Sequence, residues 1–344
     1  MSRRAATFAA ASVLILVLVA VGALLPVPYV VLLPGPTTNT LGKADGKSLI
    51  TVDGHSTYPT KGHLNLVTVA YRGDPEHEIH LFIALRGWFA PQVAVLPQQV
   101  LFPSSESVHK VIEQSQQRMR QSQNAATAAA LRELGIPIRV KVRSAEKGYP
   151  ARGTLRKGDV ITAVDGKKVT TEEEVADAVT AHKPRDRVHM TIGRNGERRR
   201  VTVGTTTAHD RTHRTVIGVV LTYAYPFKVR IRLPDVGGPS AGMMFALGII
   251  DKLTPGSLTG GRFVAGTGTI KPDGDVGMIG GITQKMIGAR RAGATVFLTP
   301  AKNCAEAAEA APDGLRLVKV KTLHGALRAL KALRTDSGKV PSCE

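Results

Sequence analysis

The segment from Phe227 to Leu247 confines the fold more tightly than any other part of the chain. It reads Phe227-Lys-Val-Arg-Ile-Arg-Leu-Pro-Asp-Val-Gly-Gly-Pro-Ser240-Ala-Gly-Met-Met-Phe-Ala-Leu247. Phe227, Val229, Ile231 and Leu233 alternate with Lys228, Arg230 and Arg232, which is the period of a half-buried strand. Gly237, Gly238 and Gly242 permit close approach of the backbone. Met243, Met244, Ala246, Leu247 and Ile250 then recur at helical spacing, so the pattern predicts a strand, a tight turn and a helix opening at Ser240. A serine there sits among unpaired amides that suit an oxyanion, although its ordinary role is that of an N-cap. A second segment adds chemistry: Lys285 follows Gly280-Gly281 in an apolar window with Ile282, Met286 and Ile287. Desolvation in such a window lowers a lysine's pKa and makes it a base, and serine with neutral lysine is a competent nucleophile–base pair.

Gly238-Pro-Ser-Ala-Gly242, Gly266-Thr-Gly-Thr-Ile270, Val276-Gly-Met-Ile-Gly-Gly281 with Lys285, and Arg291-Ala-Gly293 resemble the proteolytic domain of the Lon proteases. The resemblance implies Ser240 as nucleophile, Lys285 as general base, and Thr267 as a threonine that helps orient the lysine. Gly237 and Gly238 are the supporting turn. Gly237 also stands where Lon enzymes usually carry an aspartate, and Asp235 lies two residues earlier. The wording Asp-Val-Gly-Gly-Pro-Ser is similar to that of the membrane-anchored PDZ–Lon-like proteases, the YlbL-like group. The same Gly238-Pro-Ser240-Ala-Gly242 satisfies the G-x-S-x-G elbow, but Pro234 to Gly238 separates strand from serine, and His324 is the sole histidine available downstream for a triad.

Arg3 and Arg4 precede an apolar run from Ala5 to Leu25, close to the twenty or so residues that cross a bilayer. Basic residues on the short side keep that end cytoplasmic and send the rest outside. A cleaved signal peptide is the competing reading, with Val21-Gly-Ala23 as its small-residue site. Cys304 and Cys343 are an even pair in a chain expected outside the cytoplasm, which points to a disulfide pinning the tail to the C-terminal domain. The formal net charge of +19 is dispersed and carries little interleaved aromatic residue, which favours an anionic membrane surface over nucleic acid.

Gly42-Lys-Ala-Asp-Gly46-Lys47-Ser48 imitates a phosphate-binding loop but is one residue short, so no nucleotide site and no ATP motor are expected. His77-Glu-Ile-His80 misses the i, i+4 spacing of a zinc helix, and these residues are expected on a solvated helix. No metal or cofactor is expected. Val108 to Leu134 reads as a long helix ending at Gly135-Ile-Pro137. Tyr149-Pro-Ala151, Leu155-Arg-Lys-Gly158-Asp159-Val-Ile161 and Val164-Asp-Gly166 resemble a bacterial PDZ domain, which binds a peptide by strand addition. Its binding loop is expected near Gly135, Ile136 and Ile138, and Asn195-Gly196 signals a hairpin.

The expected fold class is α+β multidomain: an N-terminal transmembrane helix, a β-rich PDZ domain with helices, and a C-terminal Lon-type α/β proteolytic domain. The expected boundaries are an anchor at 1–26, a juxtamembrane region at 27–124, a PDZ domain at 125–207, a proteolytic domain at 208–334 and a tail at 335–344. The resemblance implies an ATP-independent serine endopeptidase acting on unfolded, secreted or membrane-associated polypeptides. It would sit in a bacterial cell membrane by a single pass, with its catalytic part extracytoplasmic. The alternative is a membrane-tethered PDZ adaptor with a non-catalytic Lon-like scaffold. Oligomeric state is left open.

Overall fold

A computed structural model describes residues 3–343 except Asp45, Arg211, Pro234 and Asp235. The chain opens with helix α1 (Arg3–Leu24), followed by β1 (Tyr29–Asn39), β2 (Ile50–Asp53) and β3 (His63–Arg72). Next come α2 (Leu81–Trp88), β4 (Ala94–Pro97) and the long α3 (Val108–Glu133). A β-rich lobe holds β5 (Arg139–Ala145), β6 (Val160–Val164), α4 (Glu172–Thr180), β7 (Arg187–Arg194), β8 (Glu197–Gly204) and β9 (Val219–Ala224). The chain then returns through β10 (Lys228–Ile231), α5 (Gly242–Leu253), β11 (Phe263–Gly266) and α6 (Ile282–Arg291). It closes with β12 (Val296–Pro300), α7 (Cys304–Glu309), β13 (Arg316–Val320) and α8 (Leu323–Thr335).

The larger sheet has the order β13-β12-β11-β3-β1-β4. Its first four strands are parallel, and β1 alone runs the other way, antiparallel to both its neighbours β3 and β4. Apolar runs such as Val296-Phe-Leu298 are buried on both faces, as expected of parallel strands covered by helices. Leu64, Leu66, Val264, Leu298 and Val318 face a core shared with α3, α5 and α8. Val67, Ala265 and Phe297 face the other way, into a core shared with α6 and α7. Each side therefore removes a continuous apolar surface from water, the dominant favourable term in folding.

Two expectations change here. The region 27–124 is not a separate spacer: β1, β3 and β4 are integral strands of the C-terminal domain's sheet, and α3 packs on α5. The β-rich lobe is thus an insertion within one discontinuous domain, and β9, beyond residue 208, belongs to it through its pairing with β5. Sequence proximity suggests the simpler linear order, but a parallel strand pair such as β3–β11 joins residues 200 apart, Leu64 opposite Val264. His77 and His80 are also not helical. Ile79-His80 pairs with Pro26-Val27, and the His77 ring bonds Asp74 in a turn. The imitation phosphate loop is a hairpin, with Lys43-Ala44 paired to Lys47-Ser48.

Other expectations stand in the structure. Asn195 (φ 52°) and Gly196 (φ 86°) form the two-residue turn between β7 and β8. Not foreseen from the sequence is the reciprocal capping box of Thr171 with Glu174 at the start of α4. Cys304 and Cys343 are joined, which ties the tail to α7.

Candidate active site

α5 begins at Gly242 with Ala241 in the cap position, so Ser240 lies one residue outside the cap. The Ser240 hydroxyl makes no hydrogen bond among the described residues, and an ordinary capping role is therefore excluded. Its backbone is held hard. The Ser240 carbonyl accepts from the Gly268 amide at 2.8 Å and from the Thr267 hydroxyl at 3.0 Å. The Met243 amide returns the contact to the Gly268 carbonyl at 3.1 Å. Those bonds lock the turn before α5 to the chain just after β11, at the carboxyl end of the parallel strands, where open α/β sheets place their sites. The amides of Ser240 and Ala241 donate to no protein acceptor among the described residues.

From the other side the turn rests on α3, whose purpose is opaque in the sequence. The Ser115 carbonyl accepts from the Gly238 amide, and the Ser122 hydroxyl donates to the Pro239 carbonyl, each at 2.9 Å. Ser115 and Ser122 are seven residues apart and so share one helix face. Gly238 has φ 82°, a conformation that side chains disfavour. At Gly237 an added Cβ would lie 2.3 Å from Ser115 Oγ and 3.1 Å from its Cβ, so the turn docks closely on α3 there. This contact gives position 237 a packing reason of its own. Asp235 lies outside the described residues.

Lys285 enters from the opposite face of the sheet, on α6, with Gly281 (φ 66°) turning the chain into the helix. It is 3% exposed and lies between Ile282, Met286 and Ala289 in sequence, all fully buried. Burial lowers its pKa from 10.5 to about 8, and no carboxylate pairs with it among the described residues. The face of the sheet covered by α6 also carries Asn65 and Thr299, whose Oδ1 and Oγ1 are buried without a donor. Thr267 is 1% exposed, and its single hydroxyl proton goes to Ser240, which leaves its lone pairs able to accept. His324, the base required by a triad, is exposed and bonded to Glu133 on α3 at 2.8 Å.

The residues expected to form the peptide-binding loop lie elsewhere. Gly135 (φ 69°) ends α3: its amide reaches the Arg132 carbonyl and the Ile136 amide reaches that of Leu131, the two bonds of a Schellman cap. Ile136 and Ile138 then pack against the core of the larger domain. β5 has no free edge either, because β6 and β9 flank it. The edges of that sheet are β8 and β9; β9 starts after Gly218 (φ 73°), and its Tyr223 hydroxyl accepts from the Glu172 amide at the start of α4. The signal lay in Ile217-Gly218-Val219, a glycine between apolar residues at the head of a strand.

The PDZ domain family matches residues 112–205. Lon protease 2 of Herpetosiphon aurantiacus is 41% identical over 92 residues, which is 26% of this chain and 11% of that protein. The Lon protease of Clostridioides difficile is 38% identical over 92 residues, again 26% and 11%. The chain thus spans about a tenth of the length of these curated relatives. Among solved structures, the PDZ domain of an SdrC-like protein from Listeria monocytogenes is 28% identical, covering 24% of this chain and 85% of that one, at a TM-score of 0.23. Its counterpart from Listeria innocua is also 28% identical, covering 24% and 92%, at 0.23. The chain therefore carries a PDZ domain and, over about a quarter of its length, homology to Lon proteases.

Proposed function

We propose that this chain is a membrane-anchored, ATP-independent serine endopeptidase of the Lon type, with Ser240 as nucleophile and Lys285 as general base. One observation carries the reading: Lys285 is 3% exposed, has no carboxylate partner among the described residues and a pKa lowered by burial to about 8, while the Ser240 hydroxyl has no hydrogen-bond partner among them. Neutral Lys285 takes the Ser240 proton as Oγ attacks the scissile carbonyl. The free amides of Ser240 and Ala241 receive the developing oxyanion. Lys285 then protonates the leaving amine, and water hydrolyses the acyl-enzyme. Thr267 holds the serine's carbonyl through its proton, and its lone pairs are open to the lysine ammonium that forms during the reaction.

α1 supplies the anchor: among the described residues it is the helix long and apolar enough to cross a membrane. Arg3 and Arg4 set its orientation, and the Cys304–Cys343 bond suits the oxidising side. Without a motor, the substrates are unfolded or membrane-associated polypeptides, and the free edge of β9 recruits or gates them by strand addition. The test is cleavage of an unfolded protein by the full chain in detergent, without ATP, beside Ser240→Ala and Lys285→Ala. Cleavage by the wild type alone is expected. Cleavage that survives Lys285→Ala would sink the reading.

A further inference from the structure

Apart from Arg86, α2 is apolar throughout, yet only half of it meets protein. Ile83, Ala84 and Gly87 face inward, against a small core with Val31, Val93 and Val95. Phe82 (58% exposed), Leu85 (39%), Trp88 (52%) and Phe89 (85%) fall on a single arc of the opposite side at 100° per residue. An apolar arc of this width belongs in a core or a membrane, and water-facing aromatic clusters of this kind are uncommon on soluble surfaces.

The position of α2 says which. The Leu81 amide donates to the Leu25 carbonyl at 2.8 Å, and Pro26-Val27 pairs with Ile79-His80, so α2 starts where α1 ends. The exposed aromatic arc therefore begins beside the end of α1, whose own large apolar side chains from Val13 to Leu24 are exposed. Trp88 stacks edge-on against Tyr29, at 5.5 Å between ring centroids, on the first strand after α1. Tryptophan and tyrosine favour the headgroup level, where an apolar body and a polar tip are both satisfied. Beneath the helix, a cavity of about 430 Å³ is lined by Arg72, Arg86 and Arg291 together with Val31, Phe82 and Ile83. No carboxylate pairs with any of these arginines among the described residues, and Arg291 bonds only Gln92.

We propose that α2 lies in the membrane interface as a second, non-spanning contact, with the three arginines drawing anionic phospholipid headgroups to its flank. The inference rests on the reading of α1 as a membrane anchor. It makes the larger sheet dock at a set angle to the bilayer rather than swing from one tether, and it places α6, whose last turn carries Arg291, within reach of the headgroups.

Trp88 is the chain's single tryptophan, so its emission reports on this face alone. The full chain is reconstituted into vesicles of phosphatidylcholine with phosphatidylglycerol, floated on a density gradient, and measured with lipids brominated at shallow and deep acyl positions. The expected result is flotation with blue-shifted emission, quenched most by the shallow bromines. The pair Phe82→Ser with Phe89→Ser keeps flotation and lowers the docked-to-undocked ratio about tenfold or more, from the apolar area withdrawn. Arg72→Glu with Arg86→Glu removes the dependence on anionic lipid. Flotation with unquenched, water-like emission would overturn the docking of α2, as would cross-linking of Phe89→Cys between two copies of the chain in place of quenching. Failure to float at all would overturn the anchor first and the docked face with it.

Discussion

Asp159 in the PDZ lobe and Lys285 in the larger domain are buried almost equally, at 2% and 3% exposure, yet they are treated in opposite ways. Asp159 receives a two-pronged contact from Arg194, Nε to Oδ1 at 2.8 Å and Nη2 to Oδ2 at 2.7 Å, with the Arg156 amide as a further donor. Burial alone would raise its pKa, but those donors outweigh it and hold the carboxyl below its usual range. Lys285 has only the burial, and its pKa falls to about 8. A buried charge with a partner fastens a loop; a buried charge without one costs stability, and what it retains is a readily lost proton. That contrast separates a structural polar site from a chemical one more surely than burial does.

The contrast is open to breakage at several points, the largest on the catalytic side. Ser240→Ala and Lys285→Ala are each expected to lower kcat by about 10⁴ or more with the fold intact, since members of a nucleophile–base unit act together. Arg194→Met leaves Asp159 uncompensated and should destabilise the PDZ lobe by about 3–5 kcal/mol in denaturant melts. Lys285→Met should do the reverse and stabilise. A folded pKa near 8 against 10.5 unfolded means the unfolded state holds more protons between those values. Stability contributed by the wild-type lysine is therefore lowest below pH 8 and recovers towards pH 10.5. The gain from Lys285→Met is about 3 kcal/mol at pH 7 and shrinks as pH rises through that window. A flat pH dependence of that gain would mean Lys285 is not desolvated in solution. Smallest is Ser122→Ala, which frees the Pro239 carbonyl from α3 at a stability cost of about 1 kcal/mol. Its expected signature is a lower kcat with little change in KM, since the turn loosens while the substrate surface remains.

What the sequence made legible was local. Ser240 and Lys285 stand in short runs whose glycines encode a turn and a helix start, and the structure forms those turns, whereas Thr267 comes from the family resemblance. The Asn195-Gly196 hairpin is equally local. The misplaced features depend on partners far along the chain. β1 and β3 are separated by the inserted PDZ lobe from β11, the strand that β3 joins. Ser115 and Ser122 sit in a helix that looks merely polar until the turn at Gly237 docks on it. The PDZ edge was placed at Gly135, where a glycine after a helix serves as a Schellman cap, while the free strand edge at β9 comes from the far side of the lobe. Thr267 illustrates the boundary: its position was legible, but the acceptor of its proton, the Ser240 carbonyl, was not.

The most direct test of the central claim is the pH dependence of Ser240 labelling by a serine-reactive fluorophosphonate, followed in the wild type and in Lys285→Ala. The account predicts a labelling rate that climbs through an apparent pKa near 8 in the wild type and collapses across the range in the variant. A rate independent of pH, or one that Lys285→Ala leaves unchanged, would contradict the assignment of Lys285 as the base.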